Sequence, residues 1–359
     1  MQLLRRRLAG PYTIVHDRQK RLSAAAMIAF AASISTGDAT PAAPADKFGM
    51  NYDFLNVDKA ALTLCASRSR SIGIKGQAFL VRYQDPAVRQ AVVKALSAMR
   101  KAGFEGVRVI VWFAGQNEAR DNIFDRDDPG LAAKNVSAFA SDLNSLGYSR
   151  FYLAFGPQGN AKVTCRQQIW GDCFDPRQIN RSVAFILKVR QALDATPHPP
   201  LYVDLQNSGA LTSAHAEQLR SNMDRYLSTL VKAYAREFPR DLTTISIQGR
   251  NTGDRSDFVF KVYEEAGLEP SYLDFHVYQS DAADLGQISQ ALRSAKTRLP
   301  VVVGEAAYGD PRAVAAITSL LAPYDPAGVP IFFWPLRDIS GTCGVDTAPP
   351  YDLTWLSPR

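Results

Sequence analysis

The sequence predicts an α/β protein of one domain, folded as a (β/α)8 TIM barrel. Three observations carry this expectation. Short apolar runs rich in Val, Ile, Phe and Tyr alternate with longer helical patterns from Phe48 to the end of the chain, as parallel strands covered by helices require. The runs number eight over about 310 residues, the count that closes a barrel. No Gly-x-Gly-x-x-Gly or P-loop follows the first run, which counts against the alternative of a doubly wound open sheet.

In chain order the runs are GMNYDFL (49–55), GVRVIVWF (106–113), RFYLAFG (150–156), LYVDLQN (201–207), TTISIQG (243–249), YLDFHVY (272–278), PVVVGEA (300–306) and PIFFWPL (330–336). Each suits a short strand buried on both faces. Between the first two lies PAVRQAVVKALSAMRKAG (86–103), with Pro early and Gly at its end, the punctuation of a helix. NVSAFASDLNSLG (135–147), QINRSVAFILKVRQALD (178–194) and LRSNMDRYLSTLVKAYAREF (219–238) repeat the theme. ALTLCASRSRSIGIKG (61–76) reads as a rim loop, and RDISGTCGVDTAPPYDLTWL (337–356) leaves the eighth helix short or absent. No linker or break in composition divides residues 46–359, which are therefore one domain.

Residues 1–45 read as an export signal and a polar segment. A basic stretch ending at Lys20-Arg21 precedes the apolar LSAAAMIAFAASIS, and Ala43-Pro44-Ala45 is a small-x-small cleavage site. The apolar run is too short to span a bilayer comfortably, and no Cys lies near it to take a lipid. The expectation is a periplasmic or secreted protein with no membrane span after signal removal; a disordered Ala-rich tail is the alternative. The same segment explains the net charge of +6: it holds six of the 41 Lys/Arg and two of the 35 Asp/Glu, which leaves 35 basic against 33 acidic residues. A near-neutral body with no basic stripe excludes nucleic acid as the expected partner.

Four cysteines suit an oxidising compartment. Cys165 and Cys173 share the loop TCRQQIWGDC and can close it, which leaves Cys65 and Cys343 to pair across the ends of the chain. Four Cys allow three connectivities, and four buried free thiols are the alternative. There is no C-x-x-C, and His16, His198, His215 and His276 do not cluster, so no zinc site is expected. The acidic FDRDDPG (124–130) reads as a solvated turn or a calcium loop.

In a barrel of this kind chemistry sits where strands end, at the C-terminal face. Arg108 interrupts an apolar run, with Trp112 on the same parity; the fourth run ends in Asp204, Gln206, Asn207 and Ser208; the sixth places His276 and Tyr278 two apart, on one face. Glu305 ends the seventh run and shares parity with Val301 and Val303, which would point it into the barrel mouth; Trp334 ends the eighth. A buried arginine needs an anion, and Glu305 is the expected partner. A carboxylate held by Arg and a Tyr hydroxyl stays ionised, as a nucleophile must. Trp334, Trp112 and Tyr278 offer flat faces on which a sugar ring can stack. Arg108 as a plain buried ion-pair residue, and His276 and Trp334 as core residues, are the alternatives.

These residues resemble the clan A glycoside hydrolases, the cellulase-like retaining (β/α)8 barrels. GFEGVRVIV is similar to the family's strand-two motif with its nucleophile-contacting arginine, here Arg108; DFHVY resembles its His-x-Tyr, here His276 and Tyr278; PVVVGEAAYG resembles the strand ending in the nucleophile, here Glu305; FFWPL resembles the stacking platform, here Trp334. The resemblance implies a monomer acting on a polysaccharide or oligosaccharide, with no cofactor and no catalytic metal. It also implies that Asn207 contacts the sugar 2-hydroxyl.

The departure lies on the fourth run. The family pattern there is an acidic residue, two others, then Asn-Glu, the Glu being the general acid/base; DLQNS matches at Asp204 and Asn207 and then has Ser208. A retaining glycosidase needs two carboxyl groups about 5–5.5 Å apart, and a serine hydroxyl is far too weak an acid to serve. Four expectations follow from this difference. Asp204 in a bulged strand, or Glu118 from the loop GQNEARDN (itself in the ordinary case a solvated loop residue), substitutes for the acid; the substrate has a good leaving group or is only slowly transferred; the barrel is non-catalytic and binds glycan or a partner protein, as a polysaccharide-assembly component would; or the strand end is misplaced.

Overall fold

The computed structural model describes residues 48–52, 78–115, 123–157, 176–207, 217–248, 256–277, 299–307, 311–324 and 329–334, with the single positions 288, 292 and 353. All lie within one compact unit, Pro44–Arg359. The elements are β1 (Phe48–Asn51), α1 (Ala78–Val81), α2 (Pro86–Lys101), β2 (Gly106–Ala114), β3 (Phe124–Asp125), α3 (Pro129–Ser145), β4 (Arg150–Pro157), α4 (Pro176–Gln191), β5 (Leu201–Asp204), α5 (Glu217–Glu237), β6 (Leu242–Gln248), α6 (Ser256–Ala266), β7 (Tyr272–Val277), β8 (Val301–Ala307), α7 (Pro311–Leu321) and β9 (Ile331–Trp334).

All strand pairings are parallel, in the order β1-β2-β4-β5-β6-β7-β8-β9, and β9 returns to β1, so the sheet closes. The eight apolar runs are the eight barrel strands, and the fold is the expected (β/α)8 barrel. The ninth strand, β3, pairs only with the end of β2, through Phe113 and Phe124. Two residues are too few to show a period, which is why neither β3 nor the four-residue α1 was legible.

Helix ends follow local chemistry. The pattern placed the start of α3 at residue 135, six residues late. Pro129 occupies its first turn, and Asp128 caps it by accepting the Gly130 N–H at 3.2 Å. Asp125 accepts the Asp127 N–H at 2.8 Å, so FDRDDPG is a backbone-bonded turn that starts a helix. Gly103 and Gly147, just beyond α2 and α3, have φ of 99° and 73°, the left-handed conformation that glycine adopts without strain.

The main core lies between the outward faces of the strands and the helices, and includes Val107, Val109, Val111, Val301, Val303 and Ala306. A second cluster of Tyr152, Val302 and Phe332, with Tyr202 and Tyr272 against it, fills the barrel itself. Phe332 fits because β1 and β2 present glycines: a Cβ on Gly49 or Gly106 would fall 2.4 or 2.9 Å from its ring. Small residues facing a large one close a barrel without a void.

The N-terminal segment 1–45, the loop 61–76, the stretch 337–356 apart from position 353, and Cys65, Cys165, Cys173 and Cys343 lie outside the described residues. No helix among the described residues is long and apolar enough to cross a membrane.

Candidate active site at the strand ends

Arg108 is the centre of the barrel interior and is wholly buried. Register places it beside Asn51 of β1 and Tyr152 of β4. Its Nη1 donates to Asn51 Oδ1 and to Glu305 Oε1, both at 2.8 Å. Its Nη2 donates to Asn207 Oδ1 at 2.6 Å and lies 3.3 Å from His276 Nε2. The terminal N–H groups are therefore all engaged. The guanidinium also lies over the Tyr152 ring, 4.9 Å from its centroid, a cation–π contact in a desolvated place. Arg108, Glu305, Asn207 and His276, expected together from the sequence, do meet.

The route by which Glu305 enters the barrel differs from the expectation. Val301 and Val303 face the outer core while Val302 faces the interior. Strict alternation would then put Glu305 outside with Val301 and Val303, so shared parity is not what turns it inward. The register of β8 slips against both neighbours: Phe275 pairs with Val303 but His276 with Glu305, and Val303 pairs with Ile331 but Ala306 with Phe333. This is a β-bulge. Gly304 and Glu305 both face inward, and Ala306 returns to the outer core. Only glycine fits at 304, because a Cβ would fall 2.3 Å from Asp274 Oδ1.

One guanidinium faces three carboxylates: Glu305 at 2.8 Å, Asp204 at 3.6 Å and Asp274 at 3.9 Å. Buried negative charge in excess is costly, and protons take up part of it. Burial, opposed by Arg108 and reinforced by Asp274, pushes the Asp204 carboxyl up to about 7. Asp204 is 1% exposed; its Oδ1 accepts the Gln206 N–H at 3.1 Å. Burial works against charging His276, but Glu305 and Asp274 outweigh it, and the imidazole pKa lies above its ordinary value. Its Nε2 lies 3.4 Å from Asp274 Oδ2 as well as 3.3 Å from Arg108 Nη2, and its Nδ1 lies 3.6 Å from Glu305 Oε1. Ser246 Oγ is 3.1 Å from the same Nε2. Burial raises the Tyr152 phenol well above its usual range, with Asp274 adding to it, so Tyr152 is a donor to Asp274. Thr244 Oγ1, at 2.8 Å, completes that hydroxyl's bonding.

Trp112 lies on the inner face with Ile110 and Ala154, its ring against Gly156, where a Cβ would fall 2.3 Å from it. The backbone of Trp334 ends β9, and its side chain lies outside the described structure. Ser208, Tyr278 and Glu118 also lie outside the described residues. Asn51, Tyr152, Asp274 and Ser246 went unnoticed in the sequence. Asn51 ends the first strand and Asp274 shares a face with His276, so the rule that located the other site residues applies to both. Among the described residues no group of three or more His, Cys, Asp and Glu is arranged to hold a metal ion.

The chain is a closed parallel (β/α)8 barrel with a buried arginine–glutamate pair in its interior. No protein-family model matches the chain, and no curated protein matches it. Among solved structures it is similar to an exo-β-1,4-mannosidase from an Opitutaceae bacterium (strain TAV5), at 15% identity and a TM-score of 0.47, over 80% of this chain and 51% of that one. It is similar also to the β-mannanase of the blue mussel Mytilus edulis, at 13% identity and a TM-score of 0.46, over 80% and 86% of the two chains. A GH5_18 protein from Streptomyces cattleya in complex with Manβ1-4GlcNAc gives 15% identity and a TM-score of 0.49, over 80% and 70%. The chain spans about half the length of the first of these. Likenesses at this level transfer neither activity nor substrate.

Proposed function

We propose that this protein is a glycoside hydrolase-like barrel that acts on a polysaccharide or oligosaccharide, with Glu305 as the nucleophile of a retaining mechanism. The observation that carries this is the 2.8 Å Arg108–Glu305 pair at the C-terminal ends of the strands, with Asn207 on the same guanidinium. Glu305 attacks the anomeric carbon, the bond to the leaving oxygen breaks, and a covalent glycosyl-enzyme forms. Arg108 keeps the carboxylate ionised and aimed. Asn207 meets the 2-hydroxyl, and Trp112, Trp334 and Tyr278 supply ring-stacking surface. Asp204 holds a proton near neutral pH, as a general acid must, but it is buried against Nη2 of Arg108 while Glu305 takes Nη1.

The second reading is a barrel that binds glycan without hydrolysing it, favoured by Ser208 standing directly after Asn207 in the chain. One comparison separates the two: an activated aryl glycoside against a natural glycan, with wild type and Glu305→Ala. Turnover of the activated substrate alone, abolished in Glu305→Ala, supports a nucleophile without an acid. Turnover of both requires an acid, which Asp204→Asn or Glu118→Ala will reveal by a loss confined to the natural substrate. Glycan binding without turnover of either establishes the second reading, and an unchanged rate in Glu305→Ala overturns the site.

A further inference from the structure

We infer that Asn51 and Asp274 are positioning residues that clamp the Gly304–Glu305 bulge and thereby aim the Glu305 carboxylate; its catalytic meaning rests on Glu305 being the nucleophile proposed above.

A bulge removes backbone groups from the ladder, and buried ones must find other partners. At Gly304 side chains from two other strands supply them. Asp274 Oδ1, on β7, accepts the Gly304 N–H at 2.6 Å. Asn51 Nδ2, on β1, donates to the Gly304 carbonyl at 2.6 Å and to the Phe332 carbonyl at 3.3 Å. Both side chains are fully buried.

Each clamp residue is fixed by the rest of the site. The other oxygen of Asp274 takes the Tyr152 hydroxyl, which Thr244 holds in turn. Asn51 Oδ1 accepts from Arg108 Nη1, the nitrogen that also binds Glu305. The contacts form a closed circuit from the Glu305 side chain through Arg108 and Asn51 to the Gly304 carbonyl and along one peptide bond back to Glu305. Without the clamp, β8 has no reason to depart from alternation, and alternation directs residue 305 to the face of Val301 and Val303. The inward aim of Glu305 is therefore decided by partners of its neighbour's backbone.

The test uses Asp274→Ala, Asp274→Asn and Asn51→Ala in the full chain, each checked for cooperative unfolding. An asparagine at 274 keeps an oxygen for the Gly304 N–H, whereas alanine does not. Two readouts are taken: amide exchange in the peptide containing Gly304 and Glu305, and the rate at which 2,4-dinitrophenyl 2-deoxy-2-fluoro-β-glucoside or -mannoside labels Glu305, read by peptide mass. Asp274→Ala and Asn51→Ala are expected to speed exchange at Gly304 and to slow labelling about 100-fold, as misplacing a reacting group by an ångström can; Asp274→Asn stays near wild type in exchange. If Asp274→Ala does not fold, Asn51→Ala carries the comparison. Unchanged exchange in the folded alanine variants overturns the clamp, as does exchange in Asp274→Asn as fast as in Asp274→Ala. Failure of the wild type to take label overturns the nucleophile instead, and exchange still decides the clamp.

Discussion

Arg108 is the buried cation on which the polar groups of the barrel interior converge. Its four terminal N–H groups converge on Asn51, Glu305, Asn207 and His276, while Asp204 and Asp274 stand within 4 Å as further negative charge. A lysine has three donors on one atom and cannot reproduce that fork. Removing the cation strands buried carboxylates, which costs about 3–5 kcal/mol. Arg108→Met is therefore expected to lose that much stability in urea denaturation, and a loss below about 1 kcal/mol would show that the cluster is not held by this charge. Arg108 was legible in the sequence because a charge inside an apolar run demands a reason. Asn51 and Asp274 satisfied the strand-end and same-face rule but were passed over, and Tyr152 was not legible, because polar residues in strands are ordinary and only contact reveals a partner.

At the level of elements, the strands were legible from their apolar runs and the helix stops from glycine. Gly147 ends α3 at a φ of 73°, with nothing within 4 Å of where a Cβ would sit. Gly147→Ala therefore meets no steric obstacle and feels only backbone strain. It should lower stability by about 1–2 kcal/mol, measured as a shift in the urea midpoint at constant slope; a neutral result would mean that the turn relaxes. β8 shows what alternation cannot supply. Counting parity from Val301 assumes a regular strand, and the slip between Val303 and Ala306 reverses the outcome. A glycine before a glutamate in a strand is a hint of a bulge, but the hint becomes a geometry only where Asp274 occupies the space a Cβ would need.

For the whole molecule, closing the barrel concentrates charge from four strands (β2, β5, β7 and β8) in its interior, and stability should depend on pH accordingly. Native Asp204 keeps its proton to about pH 7, whereas the unfolded carboxyl loses it near pH 3.9 (about the value for a free Asp). Between those values the native state binds more protons, so this contribution is fully present below about pH 4 and is lost as pH rises through about 7. His276, also raised, acts in the same sense, its contribution being lost as pH rises above the ordinary imidazole range. Asp204→Asn removes the first dependence and leaves the second. The stability of wild type relative to Asp204→Asn should fall steadily from pH 4 to about pH 7 and level off above it in parallel denaturation series. A flat difference would mean that Asp204 is ionised throughout.

The sequence by itself determined the barrel, because eight apolar runs separated by amphipathic segments have few other ways to bury both faces of every strand. It also determined which charged residues must meet, since Arg108 and Glu305 end or interrupt such runs and neither can be buried alone. Tertiary structure alone decided the face on which Glu305 lies and the protonation of Asp204. The first depends on Asn51, 253 residues from the Gly304 carbonyl it holds; the second depends on Arg108 and Asp274 arriving from other strands. Both are contacts between distant parts of the chain, and neither periodicity nor spacing records a contact.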